Sequence, residues 1–146
     1  MKYIISDIDG TISNPKERLH FIQNKPKNWN AFNGGVTFDT PFLDTVAVLD
    51  SFRRSGGMII LCTGREMKYK DATTQWFQKN NIFYDDLFMR KFGDHRKDYE
   101  VKSDLLNDII AKYGNNVVCV LEDRTQCVDM WRGRGLRCYQ VASGDY

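Results

Sequence analysis

The sequence predicts an α/β fold, a parallel sheet of about five strands with helices on both faces. Three observations predict it. Short apolar runs of strand length alternate with stretches whose apolar residues recur at helical spacing. Alternation of this kind implies right-handed crossovers and hence a parallel sheet. Three of the runs end in polar clusters: Asp7 with Asp9, Thr63 with Arg65, and Glu122 with Asp123. In such sheets ligands bind beyond the carboxyl ends of strands, so the three clusters are expected to meet at one site.

The first run, Tyr3-Ile4-Ile5-Ser6-Asp7-Ile8-Asp9-Gly10-Thr11, reads as a buried strand emptying into a turn. Asp7 and Asp9 cannot stay charged in a core without a cation or strong donors, which places them at the strand's exit. Gly10 lets the backbone turn sharply there, leaving a pocket suited to a hard cation such as Mg(II). From residue 12 to 40 the chain is rich in Asn, Lys and Gly and interrupted by Pro15 and Pro26. A short helix is expected over Glu17 to Gln23, and the whole stretch is expected to act as a flap beside the aspartates.

Asp39-Thr40-Pro41 predicts a helix start, with a capping side chain before a first-turn proline. Phe42, Val46, Leu49 and Phe52 give that helix its apolar face, and Gly56-Gly57 end it. Met58 to Cys62 is a second strand, followed at once by Thr63-Gly64-Arg65. A helix bearing Tyr69, Ala72, Trp76 and Phe77 precedes a short strand near Leu87 to Met89. After a charged loop comes a helix with Val101, Leu105, Ile109 and Tyr113, closed by Gly114. Val117 to Leu121 runs into Glu122-Asp123, a last helix carries Val128 and Trp131, and Leu136 to Val141 forms a fifth strand.

Composition narrows the class. With 146 residues, 42% hydrophobic and 27% charged, the chain is expected to form one soluble domain over 1–146. It has no apolar stretch of membrane-spanning length and opens on a strand, not a signal segment, so a cytoplasmic location is expected. Cys62, Cys119, Cys127 and Cys138 form no C-x-x-C pair and read as small buried hydrophobes. The formal net charge of +2 conceals basic groups around Lys16 to Lys27, Arg90 to Lys97 and Arg132 to Arg137 that can attract a polyanion. With two histidines and no G-x-x-x-x-G-K-[ST] loop, neither a His-based metal site, a Ser-His-Asp triad nor P-loop kinase chemistry is supported.

The remaining constellation suits phosphoryl transfer: aspartates from two strand ends share a cation, while Thr63 and a lysine hold an anion's oxygens. Asp7-Ile8-Asp9-Gly10-Thr11, Thr63-Gly64-Arg65, a lysine before the fourth strand and Glu122-Asp123 resemble the haloacid dehalogenase (HAD) superfamily of phosphatases. That resemblance implies a HAD-like (Rossmannoid) α/β sheet with a minimal cap. The runs from Gly93 to Lys102, Glu122 to Arg132 and Gln140 to Tyr146 resemble the 3′-phosphatase domain of phage-type polynucleotide kinase-phosphatases.

Carried over residue by residue, the resemblance makes Asp7 the nucleophile that forms an aspartyl-phosphate and Asp9 the acid and later the base. Thr63 and Lys102 hold and neutralise the phosphoryl group. Asp123 completes the Mg(II) shell with the Asp7 carboxylate and the Asp9 backbone carbonyl, with Glu122 beside it or acting through water. Arg65 and Arg18 match substrate-binding arginines, and Thr11, Asp98 and Arg124 are placed with them on the substrate side. Glu122 departs from the aspartate usual in that family, and the flap departs most.

The implied substrate is a DNA or RNA 3′ end, with aromatics of the flap able to stack on its bases. A kinase or ligase carried on another chain is an implied partner. The alternative is a phosphatase of small phosphoesters such as free nucleotides, with Trp29, Phe32 and Phe38 closing over them. A third reading, from a different class, is a binding module that recognises phosphorylated ends without chemistry.

Overall fold

The computed structural model of the chain describes residues 1–144. In chain order its elements are β1 (Tyr3–Ser6), β2 (Ser13–Asn14), α1 (His20–Gln23), α2 (Trp29–Gly34), β3 (Thr40–Pro41), α3 (Leu43–Arg54) and β4 (Met58–Glu66). They continue with α4 (Lys70–Lys79), β5 (Asp86–Arg90), α5 (Asp98–Tyr113), β6 (Val117–Glu122), α6 (Thr125–Gly133) and β7 (Cys138–Gln140). Five strands form one parallel sheet in the order β5-β4-β1-β6-β7. The expected α/β architecture is therefore the observed one.

Period-two alternation sends successive side chains of each strand to opposite faces. Tyr3 and Ile5 of β1 join Ile60, Val101, Leu105 and Trp131 in the core under α5 and α6. Ile4 joins Leu49, Ile59, Leu61 and Trp76 under α3 and α4. The chain starts in the middle of the sheet, winds out through β4 to β5, and returns on the other side through β6 to β7. Reversal of winding beside β1 opens a crevice at the carboxyl ends of β1, β4 and β6.

Four boundaries differ from expectation, the first being α1, which begins at His20 and not at Glu17. Thr40 and Pro41 begin no helix; they pair antiparallel with Ser13 and Asn14, and α3 starts only at Leu43, without a side-chain cap. The reason lies in Asp39, whose carboxylate is taken by Arg18 and so cannot cap. Thr63 and Arg65 lie inside β4, which continues to Glu66 by pairing it with Arg90 after a register shift. Leu136 and Val141 fall outside β7.

The stretch expected as a flap is anchored at both ends by the β2–β3 pair and packs inward through Ile22, Phe32 and Val36, all buried. Trp76 Nε1 donates to the Asp39 carbonyl at 2.9 Å, fastening its far end to α4. All four cysteines are buried and unbridged, as expected. Among the described residues no helix is long and apolar enough to cross a membrane. Asp145 and Tyr146, the end of the Gln140 to Tyr146 run, lie outside the described residues.

Candidate active site

Asp7 follows β1 directly, and its backbone N–H donates to the Leu121 carbonyl of β6 at 3.0 Å. That tie holds the β1 exit against the β6 exit, where Glu122 and Asp123 stand. Lys102, on the first turns of α5, reaches into the gap with Nζ 2.9 Å from Asp7 Oδ1, 2.9 Å from Glu122 Oε2 and 3.3 Å from Asp98 Oδ2. It is 1% exposed. Burial opposes its charge, but the surrounding carboxylates of Asp7, Asp98 and Glu122 outweigh that and raise its pKa well above the ordinary lysine value.

Ligand atoms of Asp7, Glu122 and Asp123 lie within 4.8 Å of one another. Burial, with the Asp7 carboxylate alongside, pushes both Glu122 and Asp123 upward from the usual carboxylate range. A divalent cation would relieve that repulsion. Glu122 has little left to offer it, because Oε1 accepts from the Asp123 and Arg124 amides at 3.2 and 3.3 Å while Oε2 accepts from Lys102 and from Trp131 Nε1 at 3.2 Å. Asp7 and Asp123 share the Thr11 hydroxyl, at 3.3 and 3.2 Å, and its single proton serves one of them at a time. Backbone without a side chain closes on Asp123: a Cβ at Gly10, where φ is +83°, would stand 2.1 Å from Asp123 Oδ2. This crowded, hard-oxygen cradle fits a small divalent ion held by Asp7 and Asp123, with Glu122 behind, orienting Lys102.

Asp9 faces the other way. Arg65 grips its carboxylate with Nε on Oδ2 at 2.9 Å and Nη2 on Oδ1 at 2.7 Å, and Arg18 Nη2 adds a bond to Oδ1 at 2.7 Å. Burial pushes Asp9 up, yet the two guanidinium groups win and hold it well below the usual carboxylate range. Arg18 is itself held by Asp39 and by the Phe32 carbonyl. Asp98 carries Lys102, Arg90 and Arg124 around it, and these charges outweigh burial to keep it low.

A cleft of about 460 Å³ opens above this chemistry. Asp7, Asp9, Arg65, Asp98 and Arg124 contribute to its wall. Arg18, Thr11, Thr63 and Lys102 do not line it and are at most 3% exposed. The structure thus brings Thr11 to the two carboxylates instead of to the cleft, because its hydroxyl is the donor between them. It likewise sets Arg18 and Arg65 on Asp9, where both forks are occupied. Thr63 Oγ1 accepts from the Arg65 amide at 3.1 Å, inside β4.

Over residues 1–146 the chain matches the family described as the polynucleotide kinase PNKP phosphatase domain. It belongs to that family. Two matched chains from solved structures of the Pnkp1/Rnl/Hen1 RNA repair complex resemble this PNKP-type phosphatase domain across 99% of its length, at 36% and 33% identity and TM-scores of 0.84 and 0.81. A protein of Autographa californica nuclear polyhedrosis virus named "Putative bifunctional polynucleotide kinase/RNA ligase" is 30% identical over 132 residues, 88% of this chain. The chain spans 17% of the viral relative and 47% and 43% of the two repair-complex chains. A hydrolase from Streptococcus pneumoniae TIGR4, 16% identical at a TM-score of 0.66, covers 98% of this chain and is itself covered over 95%; it shows the shared HAD fold alone. Phosphoric monoester hydrolysis is the chemistry of the HAD phosphatases to which this family belongs.

Two residues of the PNKP-type site escaped the sequence reading. Asp39 looked like a helix cap and is the carboxylate that anchors Arg18. Trp131 looked like core, and it is, but its Nε1 also satisfies Glu122. Neither carries a local pattern that separates the two roles, since each partner lies on another element.

Proposed function

We propose that this chain removes the terminal phosphate from the 3′ end of a DNA or RNA strand, in a reaction that requires Mg(II) and passes through an aspartyl-phosphate on Asp7. The observation that supports it best is the placement of the Asp7 carboxylate on the cleft wall with Lys102 at 2.9 Å and Asp123 facing it through Thr11. Family membership supports the phosphomonoester, and the kinase and ligase named in its relatives support a nucleic acid end.

An Asp7 oxygen attacks phosphorus, the P–O3′ bond breaks, and the departing alkoxide takes a proton from Asp9. Asp9 then accepts a proton from a water that attacks the phosphoaspartate, freeing Asp7 and inorganic phosphate. Lys102 neutralises charge at Asp7 throughout, and Asp98 and Glu122 hold its ammonium in place. Asp7 and Asp123 would hold the Mg(II), which when bound supplies charge neutralisation at the phosphoryl oxygens. Asp9 is ionised while both arginines hold it, so its work as an acid needs them drawn toward the incoming phosphate, which lets its pKa rise. Kinase and ligase activities carried elsewhere would complete an end-repair sequence.

A panel with Mg(II), comparing 3′-phosphorylated oligonucleotides, 5′-phosphorylated oligonucleotides and nucleoside monophosphates, tests the proposal. Turnover should be highest on the 3′-phosphorylated strand. Preference for free nucleotides would replace it with the small-phosphoester reading.

A further inference from the structure

Four aromatic residues of the flap, Phe21, Trp29, Phe32 and Phe38, differ sharply in what they can touch. Phe32 is 2% exposed beneath the Arg18 guanidinium, Phe21 lies against His20, and Phe38, 86% exposed, does not line the cleft. Trp29 lines the cleft and is 40% exposed, its indole set edge-on to Phe32 with centroids 5.6 Å apart. Asn30, beside it, accepts from Lys68 Nζ and the Tyr69 hydroxyl at 3.1 and 3.2 Å, which fixes α2 to the segment after β4. The ring thus stands at the edge of the reaction chamber, on a helix tied to its neighbour.

Cations flank that plate. Lys27 Nζ and the Arg124 guanidinium carbon stand 5.6 and 6.0 Å from its centroid, at the outer reach of a cation–π contact. A strand could also leave through an adjoining groove between α5 and α6, which shares Arg96, Lys97 and Gln126 with the cleft and carries Glu100, Asp104 and Asp129. Arg96, which borders both grooves, is paired with Asp94 and Asp104 at 2.9 and 2.7 Å, and Arg124 stands 3.6 Å from Asp98. The three carboxylates of the second groove outnumber its two cations, Arg96 and Lys97, which favours the Lys27–Trp29–Arg124 side for a polyanion.

We infer that Trp29 is the stacking platform for a base near the 3′ end of the strand, with Lys27 and Arg124 taking the phosphates on either side of it. This deepens the polynucleotide reading and rests on it. Stacking on an aromatic tolerates any base, so the subsite selects strands over baseless phosphoesters without reading sequence.

The test compares kcat/KM on a 3′-phosphorylated trinucleotide with kcat/KM on glycerol 2-phosphate, which has no base. In Trp29→Leu, which keeps apolar contact with Phe32 but offers no π-face, the ratio should fall about tenfold, chiefly through KM on the trinucleotide. Trp29→Phe should retain most of the ratio, and Phe38→Ala all of it. The other two tryptophans, Trp76 and Trp131, are each 1% exposed, so fluorescence quenching by an unphosphorylated trinucleotide should report Trp29 alone and vanish in Trp29→Phe. An unchanged ratio in Trp29→Leu, or quenching that survives Trp29→Phe, overturns the assignment. A wild-type enzyme that prefers the glycerol ester would instead defeat the polynucleotide reading itself.

Discussion

Arg65, inside β4, holds both oxygens of the Asp9 carboxylate beyond β1, at 2.9 and 2.7 Å, though 56 positions separate the two in sequence. Arg65 is buried and Asp9 largely so, with side chains 1% and 14% exposed, so the geometry of the pair has consequences for both stability and pH response.

Arg65→Met leaves Asp9 with Arg18 as its remaining cation in that grip and should cost about 3–5 kcal/mol of stability at pH 7. Asp9 has a lowered pKa in the folded protein, so the stability it contributes is present above the ordinary carboxylate range and is lost as pH falls. Denaturation midpoints of wild type and variant should therefore converge below about pH 4. A gap that stays constant on acidification would mean that charge on Asp9 is not what Arg65 secures.

The opposite sign holds at Asp123 and Glu122, whose carboxyls are raised in the folded protein by burial and by Asp7. Their contribution is present at acid pH and declines as pH rises above the unfolded carboxylate value, at up to about 1.4 kcal/mol per pH unit for each group. Metal-free protein should lose melting temperature between roughly pH 5 and pH 8, and Mg(II) should restore it increasingly across that window. Thermal shift with and without Mg(II) measures this; stabilisation independent of pH would argue against a cation between the carboxylates.

Asp123→Asn and Glu122→Gln separate the ligand from the group behind it. The Mg(II) concentration giving half-maximal activity should rise more than about a hundredfold in the first and about tenfold in the second. Equal effects would place Glu122 on the ion.

Asp7→Asn should lower turnover by about 10⁴-fold or more, and the phosphoprotein trapped by acid quenching of wild type should be missing from its mass spectrum. Normal turnover by this variant would require another nucleophile.

Gly10→Ala introduces a Cβ 2.1 Å from Asp123 Oδ2 at a residue with φ of +83°. Backbone strain of about 1–3 kcal/mol is expected together with a raised Mg(II) requirement, both readable from melting and Mg(II) titration curves. An alanine variant with the wild-type Mg(II) requirement would show that the close approach of Gly10 plays no part in shaping the cradle.

Much of the fold is written in local periodicity along the chain. The continuous apolar runs of Tyr3 to Ile5 and Met58 to Cys62 record strands buried on both faces, and the helical spacing of Val101, Leu105 and Ile109 records one buried face. The polar exits of β1, β4 and β6 followed from the cost of burying charge mid-strand, so Asp7, Asp9, Thr63, Glu122 and Asp123 stood out early.

What each of those groups faces is set by contacts between distant elements. Asp39 could be read as a cap until Arg18, 21 residues away, was seen to occupy it. Arg18 and Arg65 look equally suited to phosphate or carboxylate, because a guanidinium fork fits both, and nothing local says which partner the fold delivers. Glu122 stands next to Asp123 in the chain, yet it serves Lys102 and Trp131. Pairings between elements are set by packing of the whole sheet, and pattern along the chain does not encode them.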